Sequence, residues 1–267
     1  MFIVLQILGI FAFLVFIFVS LLFLLATWLK NNSIIDIAYG PIFAFATIGT
    51  MIITKTYSAL PIFMATCVCI WAFRLSLRIL FKNIGKPEDS RYAAWRNKWM
   101  IEGKRYFLIR SYFQIFILQG IIICVVAMPI IVSIAAGDAL LFWVVIPGAI
   151  IFVIGLLYET IADLQIDMFI YRKMDGLENS VIMTKGLFKY SRRPNYFGET
   201  LVWWGMAIMT LSLPVGYIAF VSPLLITYIV TKVTGPMLEE IFLEKYPIEY
   251  REYMRKTNYF IPFFPKA

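Results

Sequence analysis

The sequence predicts an all-α, polytopic membrane protein with seven transmembrane helices, its amino terminus outside and its carboxyl terminus in the cytoplasm. Three observations carry that expectation. The chain of 267 residues is 61% hydrophobic and 17% aromatic and has a mean hydropathy of +0.83, far from the composition of a soluble globular domain. Its apolar runs are long enough to cross roughly 30 Å of hydrocarbon. Its basic residues gather in segments 82–110, 172–193 and 245–266, which share one side of a membrane when an even number of spans separates them, and positive-inside bias makes that side the cytoplasm. The same bias accounts for the net charge of +8, so the charge gives no reason to expect nucleic acid as a partner.

Residues 2–28 carry no charge and form the first span. No charged segment precedes them and no small-residue cleavage site follows, so a retained helix is expected rather than a signal peptide. The second span starts near Ile34 and ends before Lys55, and the third runs from about Ala59 to Phe81. A polar stretch, Lys82 to Arg110, leads to the fourth span, about Tyr112 to Ala135. After an Ala136-Gly137-Asp138 turn the fifth begins at Ala139, and its pattern continues without a breaker through Glu159 to Lys173, which projects it into water. The sixth span, about Thr200 to Leu213, is stopped by Pro214; the seventh runs from about Val215 to Val233, and a polar tail, Glu239 to Ala267, follows.

Ionisable and polar groups fall at the cytoplasmic ends of these spans: Asp36 and Tyr39, Arg74 and Arg78, Tyr112 and Gln114, Glu159 and Asp163, Glu199, and Glu239 with Glu240. Such groups are costly at membrane depth unless they face one another or a wet cavity, so a polar chamber open to the cytosol is expected. The plainer alternative is that they snorkel from helix ends.

The chain has no histidine, which removes the commonest general base and leaves carboxylates, tyrosines and an external cofactor for any chemistry. Cys67, Cys69 and Cys124 lie within apolar runs and read as small buried hydrophobes rather than disulfide or metal ligands. No metal site is expected. The densest cluster of chemistry is Lys185 to Glu199, which holds Lys185, Lys189, Arg192 and Arg193, two tyrosines, Asn195 and Glu199. Its cations suit a phosphorylated ligand, with arginine favouring bidentate capture; contact with anionic lipid is the alternative. Glu159, Asp163 and Asp167 recur every four residues and share a helix face. They make better sense facing cations or ribose hydroxyls than one another, with Gln165 and Arg172 nearby. Asp36 and Tyr39, three residues apart, pair a carboxyl with a phenol, a plausible donor to a substrate carbonyl oxygen; a first-turn helix charge is the plainer reading of Asp36.

Gly186 to Glu199, preceded by Ala162-Asp163-Leu164-Gln165, resembles the carboxyl-terminal half of the membrane steroid 5-alpha-reductase family, in particular a bacterial branch of unknown function. Ile35 to Gly40, Trp71 to Arg74 and Tyr250 to Pro262 also resemble that branch. The resemblance implies reduction by NADPH of the carbon–carbon double bond of a lipophilic enone, such as a 3-oxo-Δ4 steroid, that enters from the bilayer. It implies NADPH on Asp163, Arg172, Arg192, Arg193, Asn195, Tyr196 and Glu199, with Lys189 as a further cation and Tyr250 and Tyr253 closing over the cofactor. Residues 1–267 then form one membrane domain, in which 1–135 carry substrate-side helices one to four and 136–267 carry helices five to seven with the cofactor loops and tail. The expected location is a bacterial inner membrane with the cofactor site towards the cytoplasm.

Two departures from the family pattern stand out. Arg193 replaces a histidine that many relatives carry before the proline. In place of a glutamate on span two and a tyrosine on span three, this chain offers Asp36 and Trp71, which leaves the phenol to Tyr39, Tyr92 or Tyr112. A second resemblance, through Arg192, Pro194, Tyr196, Gly198, Glu239-Glu240 and Tyr246 to Tyr253, is to isoprenylcysteine and phospholipid methyltransferases, which implies S-adenosylmethionine instead. A transporter or lipid-binding protein would explain the spans but not the arginine cluster. Oligomeric state is not legible.

Overall fold

The computed structural model describes residues 1–137 and 141–265, and every regular element among them is helical. Backbone contacts divide the chain into two compact units, Met1–Leu140 with Ser212–Ala219, and Leu141–Leu211 with Phe220–Ala267.

The first unit contains α1 (Phe2–Leu29), α2 (Ile34–Thr54), α3 (Ala59–Asn83), α4 (Ser90–Ile101), α5 (Lys104–Val126) and α6 (Met128–Ala136). Its core is aromatic and β-branched: Phe11, Val15, Val19, Ile42, Phe43, Trp71, Phe116 and Ile123 are buried. The expected polar stretch 82–110 contains a helix of its own, α4, started by Asp89, whose side chain accepts a hydrogen bond from the Arg91 N–H. The fourth expected span begins earlier than Tyr112. Lys104, Arg105 and Arg110 occupy its first turns, a cationic extension that the apolar count alone does not register.

The second unit is built on α7 (Phe142–Met174) and α8 (Pro194–Met209). It continues, from Phe220 on, with most of α9 (Gly216–Lys245) and with α10 (Pro247–Lys256). At 33 residues α7 is about 50 Å long, well beyond the hydrocarbon thickness. The expected turn at 136–138 and the expected start of this helix at Ala139 fall partly outside the described residues. Within α9 the segment Ile229–Thr234 is π-helical, next to Pro236, which has no N–H to continue an α ladder.

Four glycines fix the α7–α8 contact. Gly148 and Gly155 on α7, and Gly198 and Gly205 on α8, are each separated by two turns and so share a face. A Cβ at Gly205 would lie 2.5 Å from the Phe152 nitrogen, and one at Gly155 would lie 2.6 Å from the Val202 nitrogen. Only glycine admits backbones this close. At the next step a Cβ on Gly198 would lie 2.5 Å from the Glu159 nitrogen, which brings the acidic stripe of α7 against the first turns of α8.

Among the described residues six helices, α1, α2, α3, α5, α7 and α9, are long and apolar enough to cross a membrane, as expected of an integral membrane protein. The remaining expected span is α8. It starts at Pro194, where a proline at the first helical position loses nothing by lacking an N–H, and runs for 16 residues before a 3-10 turn, Thr210–Ser212.

Candidate functional site

In the first unit the chemistry centres on Asp36, in the first turn of α2. Tyr92 of α4 donates its phenolic hydrogen to Asp36 Oδ1 at 2.7 Å. Arg91 Nη2 donates to Asp36 Oδ2 at 3.1 Å. Gln119 Nε2, from α5, reaches the Tyr92 oxygen at 3.4 Å. Tyr92 is buried, whereas the Asp36 side chain keeps 26% of its surface. Burial, and then the neighbouring Asp36 carboxylate, hold the Tyr92 phenol well above its ordinary range, so it stays a proton donor. Burial raises the Asp89 carboxyl, but hydrogen bonds from Arg91 outweigh it and keep Asp89 below the usual carboxylate range.

A clamp holds this pair. Arg96 grips Glu88 through two bonds, Nε to Oε2 at 2.7 Å and Nη2 to Oε1 at 2.8 Å, the bidentate geometry that makes arginine–carboxylate pairs strong. Glu88 also accepts from the Asn32 N–H at 2.6 Å, and the Asp89 N–H donates to Ser33 Oγ at 2.8 Å. The loop before α4 is thereby fastened to the α1–α2 connection, which sets Tyr92 against Asp36. Of the three phenols that the sequence leaves open, Tyr92 is bonded to Asp36. Tyr39 packs its ring edge-on against Phe43 and Trp71, with centroids 5.3 and 6.4 Å away, and the Tyr112 hydroxyl meets Ser20 Oγ at 2.9 Å.

In the second unit the segment 185–193 is knitted to the carboxyl-terminal tail. Arg192 is buried; its Nε donates to Glu239 Oε1 at 2.7 Å, its Nη1 to the Thr257 carbonyl at 2.6 Å, and its N–H to the Asn258 carbonyl at 2.9 Å. The Tyr259 ring lies beneath the guanidinium, 5.4 Å from its carbon. Tyr253 donates to the Phe188 carbonyl at 2.5 Å, and Ser191 Oγ to the Phe260 carbonyl at 2.7 Å. Gly186 has φ +60°, a conformation that suits glycine, and Gln165 on α7 accepts from the following Leu187 N–H at 2.8 Å. The Ala-Asp-Leu-Gln run thus props the turn that leads into the arginines.

Arg193, half-buried, has a different environment. Its Nη2 reaches the Tyr250 hydroxyl at 3.4 Å, its guanidinium lies 5.6 Å from the Phe242 ring centre, and its Nε is buried with no hydrogen-bond partner. Tyr250 stacks on Phe242 with centroids 5.2 Å apart at 17°. Burial, ahead of the opposing charges of Arg193 and Glu239, raises the phenols of Tyr250 and, after burial and Tyr250 itself, Tyr253 above their ordinary range. Among the remaining expected cofactor residues, Asp163 is buried on α7, Asn195, Tyr196 and Glu199 are half-buried in the first turns of α8, and Arg172 and Lys189 are exposed. The second unit therefore offers exposed cations, a half-buried arginine, and carboxylates on α7 and the first turns of α8, whereas Arg192 is committed to the tail.

Sequence reasoning did not register the Glu88–Arg96 clamp or the pairing of Arg192 with Glu239. The signal for the first was present: the acidic pair Glu88-Asp89, one residue before the Arg91-Tyr92 dipeptide, with Asp89 in capping position.

An all-helical membrane protein with a carboxylate–phenol pair in one unit and an arginine cluster pinned to its tail in the other defines the class. Residues 22–257 match the family described as "Protein of unknown function (DUF1295)", and the chain belongs to that family. It is 25% identical over 280 aligned positions to an uncharacterized protein of Schizosaccharomyces pombe, covering 92% of this chain and 77% of the other. A shorter stretch of 76 residues is 36% identical to steroid 5-alpha-reductase DET2 of Gossypium hirsutum and spans 28% of each chain. That partial match relates the chain to the steroid 5-alpha-reductase family. No solved structure gives a significant match.

Proposed function

We propose that this protein is an NADPH-dependent reductase of the carbon–carbon double bond of a lipophilic enone, of which a 3-oxo-Δ4 steroid is one example. The observation that carries the reading is the Tyr92–Asp36 hydrogen bond of 2.7 Å. It sets a buried phenol that keeps its proton within reach of a carboxyl group, and the phenol is a donor for a carbonyl oxygen. The partial likeness to a steroid 5-alpha-reductase supports the same chemistry.

The second unit fits the cofactor in its donor set. Arg193, with a buried Nε that lacks a hydrogen-bond partner, would meet a phosphate, aided by Lys189, Arg172 and the start of α8. Asp163 and Glu199 would take ribose hydroxyls, and Asn195 and Tyr196 would complete the wall. Arg192 and Tyr253 would shape this site by holding the tail, and Tyr250 would adjoin Arg193. When bound, NADPH supplies the hydride to the β-carbon. Tyr92 would turn its hydroxyl hydrogen from Asp36 to the carbonyl oxygen as negative charge develops there, while Arg91 keeps hold of the Asp36 carboxylate and Gln119 of the phenol oxygen. The α-carbon then takes a proton from water, which balances the addition of hydride and proton across the double bond. Seven crossings, with α8 as the short one, the amino terminus outside and the arginine cluster in the cytoplasm, complete the proposal and give NADPH access from the cytosol.

The test is enone-dependent consumption of NADPH by the purified chain, with a product that carries two additional hydrogens. Absence of such consumption with steroidal and simpler lipophilic enones, by protein that still binds NADPH, rejects the reaction.

A further inference from the structure

The geometry points to a phospholipid-binding site on the first unit, formed by α4 and α5 beside the Tyr92–Asp36 pair, which it adjoins through Trp95, whose ring meets that of Tyr92 edge-on at 5.7 Å; we propose that it holds one bilayer lipid with a singly anionic phosphodiester headgroup. A cavity of about 590 Å³ is lined by Trp95, Lys98 and Trp99 of α4 and by Tyr106, Arg110 and Gln114 of α5, among others. Trp95 and Trp99 stack with centroids 5.8 Å apart. Tyr106 accepts from Arg110 Nε at 3.0 Å and lies under its guanidinium, which holds the arginine in the cavity wall. Glu102 also lines the site, so its charged groups sum to one positive charge and match a headgroup carrying one negative charge. Tryptophan and tyrosine with Lys and Arg are the residues that settle at the headgroup level of a bilayer.

The apolar part continues along the same helix. Leu118 closes the polar cavity, and Ile117, Gly120, Ile121 and Cys124 line a second groove of about 400 Å³ against Val15 and Val19 of α1. Gly120 opens it: a Cβ there would lie 3.3 Å from Val15 Cγ1. Arg110, Gln114, Leu118, Ile121 and Val125 recur at intervals of three and four, so one face of α5 runs from cation to apolar groove. The stretch from Arg110 to Val125, of which Tyr112–Ile117 is π-helical, rises about 20 Å, the depth of one leaflet with its headgroup. A free phosphate would use only the upper end of this face; a phospholipid uses all of it.

The experiment uses the full chain purified in detergent and offered equal amounts of phosphatidylglycerol and phosphatidylcholine, with retained lipid read by native mass spectrometry. The wild type should retain phosphatidylglycerol preferentially. The Lys98→Gln/Arg110→Gln double variant should retain about thirtyfold less of it, as expected for two lost juxtamembrane charges. Independently of whether that variant folds, phosphatidylglycerol with brominated chains should quench the tryptophan fluorescence of the wild type, and less so that of Trp95→Phe/Trp99→Phe. Equal retention of both lipids, undiminished retention by the folded double variant, absence of quenching, or displacement by water-soluble glycerophosphoglycerol at equal concentration would each overturn the proposal.

Discussion

Tyr92 and Asp36, 56 positions apart, meet at 2.7 Å because α4 is strapped to the α1–α2 connection by Glu88 and Asp89. The pair is the reason to read the first unit as catalytic. Removing the hydroxyl with Tyr92→Phe should slow enone reduction by about a hundredfold or more and leave NADPH affinity unchanged. Asp36→Asn should act in the same direction. Tyr39→Phe keeps the ring against Phe43 and Trp71, so a smaller loss is expected there. Steady-state rates and cofactor titrations on the three variants separate these outcomes. A larger effect at Tyr39 than at Tyr92 would transfer the acid to Tyr39.

The same pair sets a pH dependence. Burial and the Asp36 carboxylate raise the Tyr92 phenol above its ordinary value of 10.0, so the folded state favours the protonated form. Its contribution to stability is complete below that ordinary value and declines as pH rises above it. The reduction rate should therefore show no loss from deprotonation of Tyr92 anywhere below about pH 10. A Tyr92-dependent fall in rate near pH 8, abolished in a variant that keeps residual activity, would show that the phenol is not protected in this way.

Arg192 and Arg193 are adjacent, yet the structure gives them different work. Arg192→Ala strands a nearly buried Glu239 and the Thr257 carbonyl and should cost about 3 kcal/mol of stability. It should also speed tryptic cleavage after Arg255 or Lys256. Arg193→Ala should leave the melting temperature close to that of the wild type and weaken NADPH binding by about 1–3 kcal/mol. Thermal denaturation and cofactor titration on both variants would expose the reverse pattern, if that is what holds.

Glycine at 205 is a packing requirement rather than a flexible joint. Gly205→Ala places a methyl 2.5 Å from the Phe152 nitrogen and should destabilise by about 2 kcal/mol or more. Gly9→Ala, where a Cβ meets nothing within 4 Å, should not destabilise and serves as the control. Melting temperatures in one detergent decide; equal values would mean that α7 and α8 separate without cost.

Much of the helical layout was legible because an apolar run of membrane length leaves little choice of backbone. The ends were less legible. Lys104 to Arg110 are helical despite their charge, because in water a helix satisfies its own backbone and the cations simply stay solvated. The start of α8 at Pro194 follows local proline chemistry, which an apolar count starting at Thr200 does not see. In the candidate site, composition pointed to Asp36 and to the arginine cluster. Spacing favoured Tyr39, three residues from Asp36, ahead of Tyr92 and Tyr112, and did not anticipate the Tyr92 bond, since that bond depends on a loop, Glu88 to Asp89, being fastened to residues 32 and 33. Nor could it separate Arg192 from Arg193: both precede the same proline, and only the path of the tail assigns one of them to Glu239 and Thr257.

Cofactor choice tests the central claim most directly. Purified protein is melted with NADPH, NADH and S-adenosylmethionine in parallel. The reductase reading predicts stabilisation by NADPH, about 2.7 kcal/mol when the ligand is at a hundredfold excess over its dissociation constant, weakened in Arg193→Ala. Stabilisation by S-adenosylmethionine alone, with no response to NADPH, would contradict it and make the chain a methyltransferase.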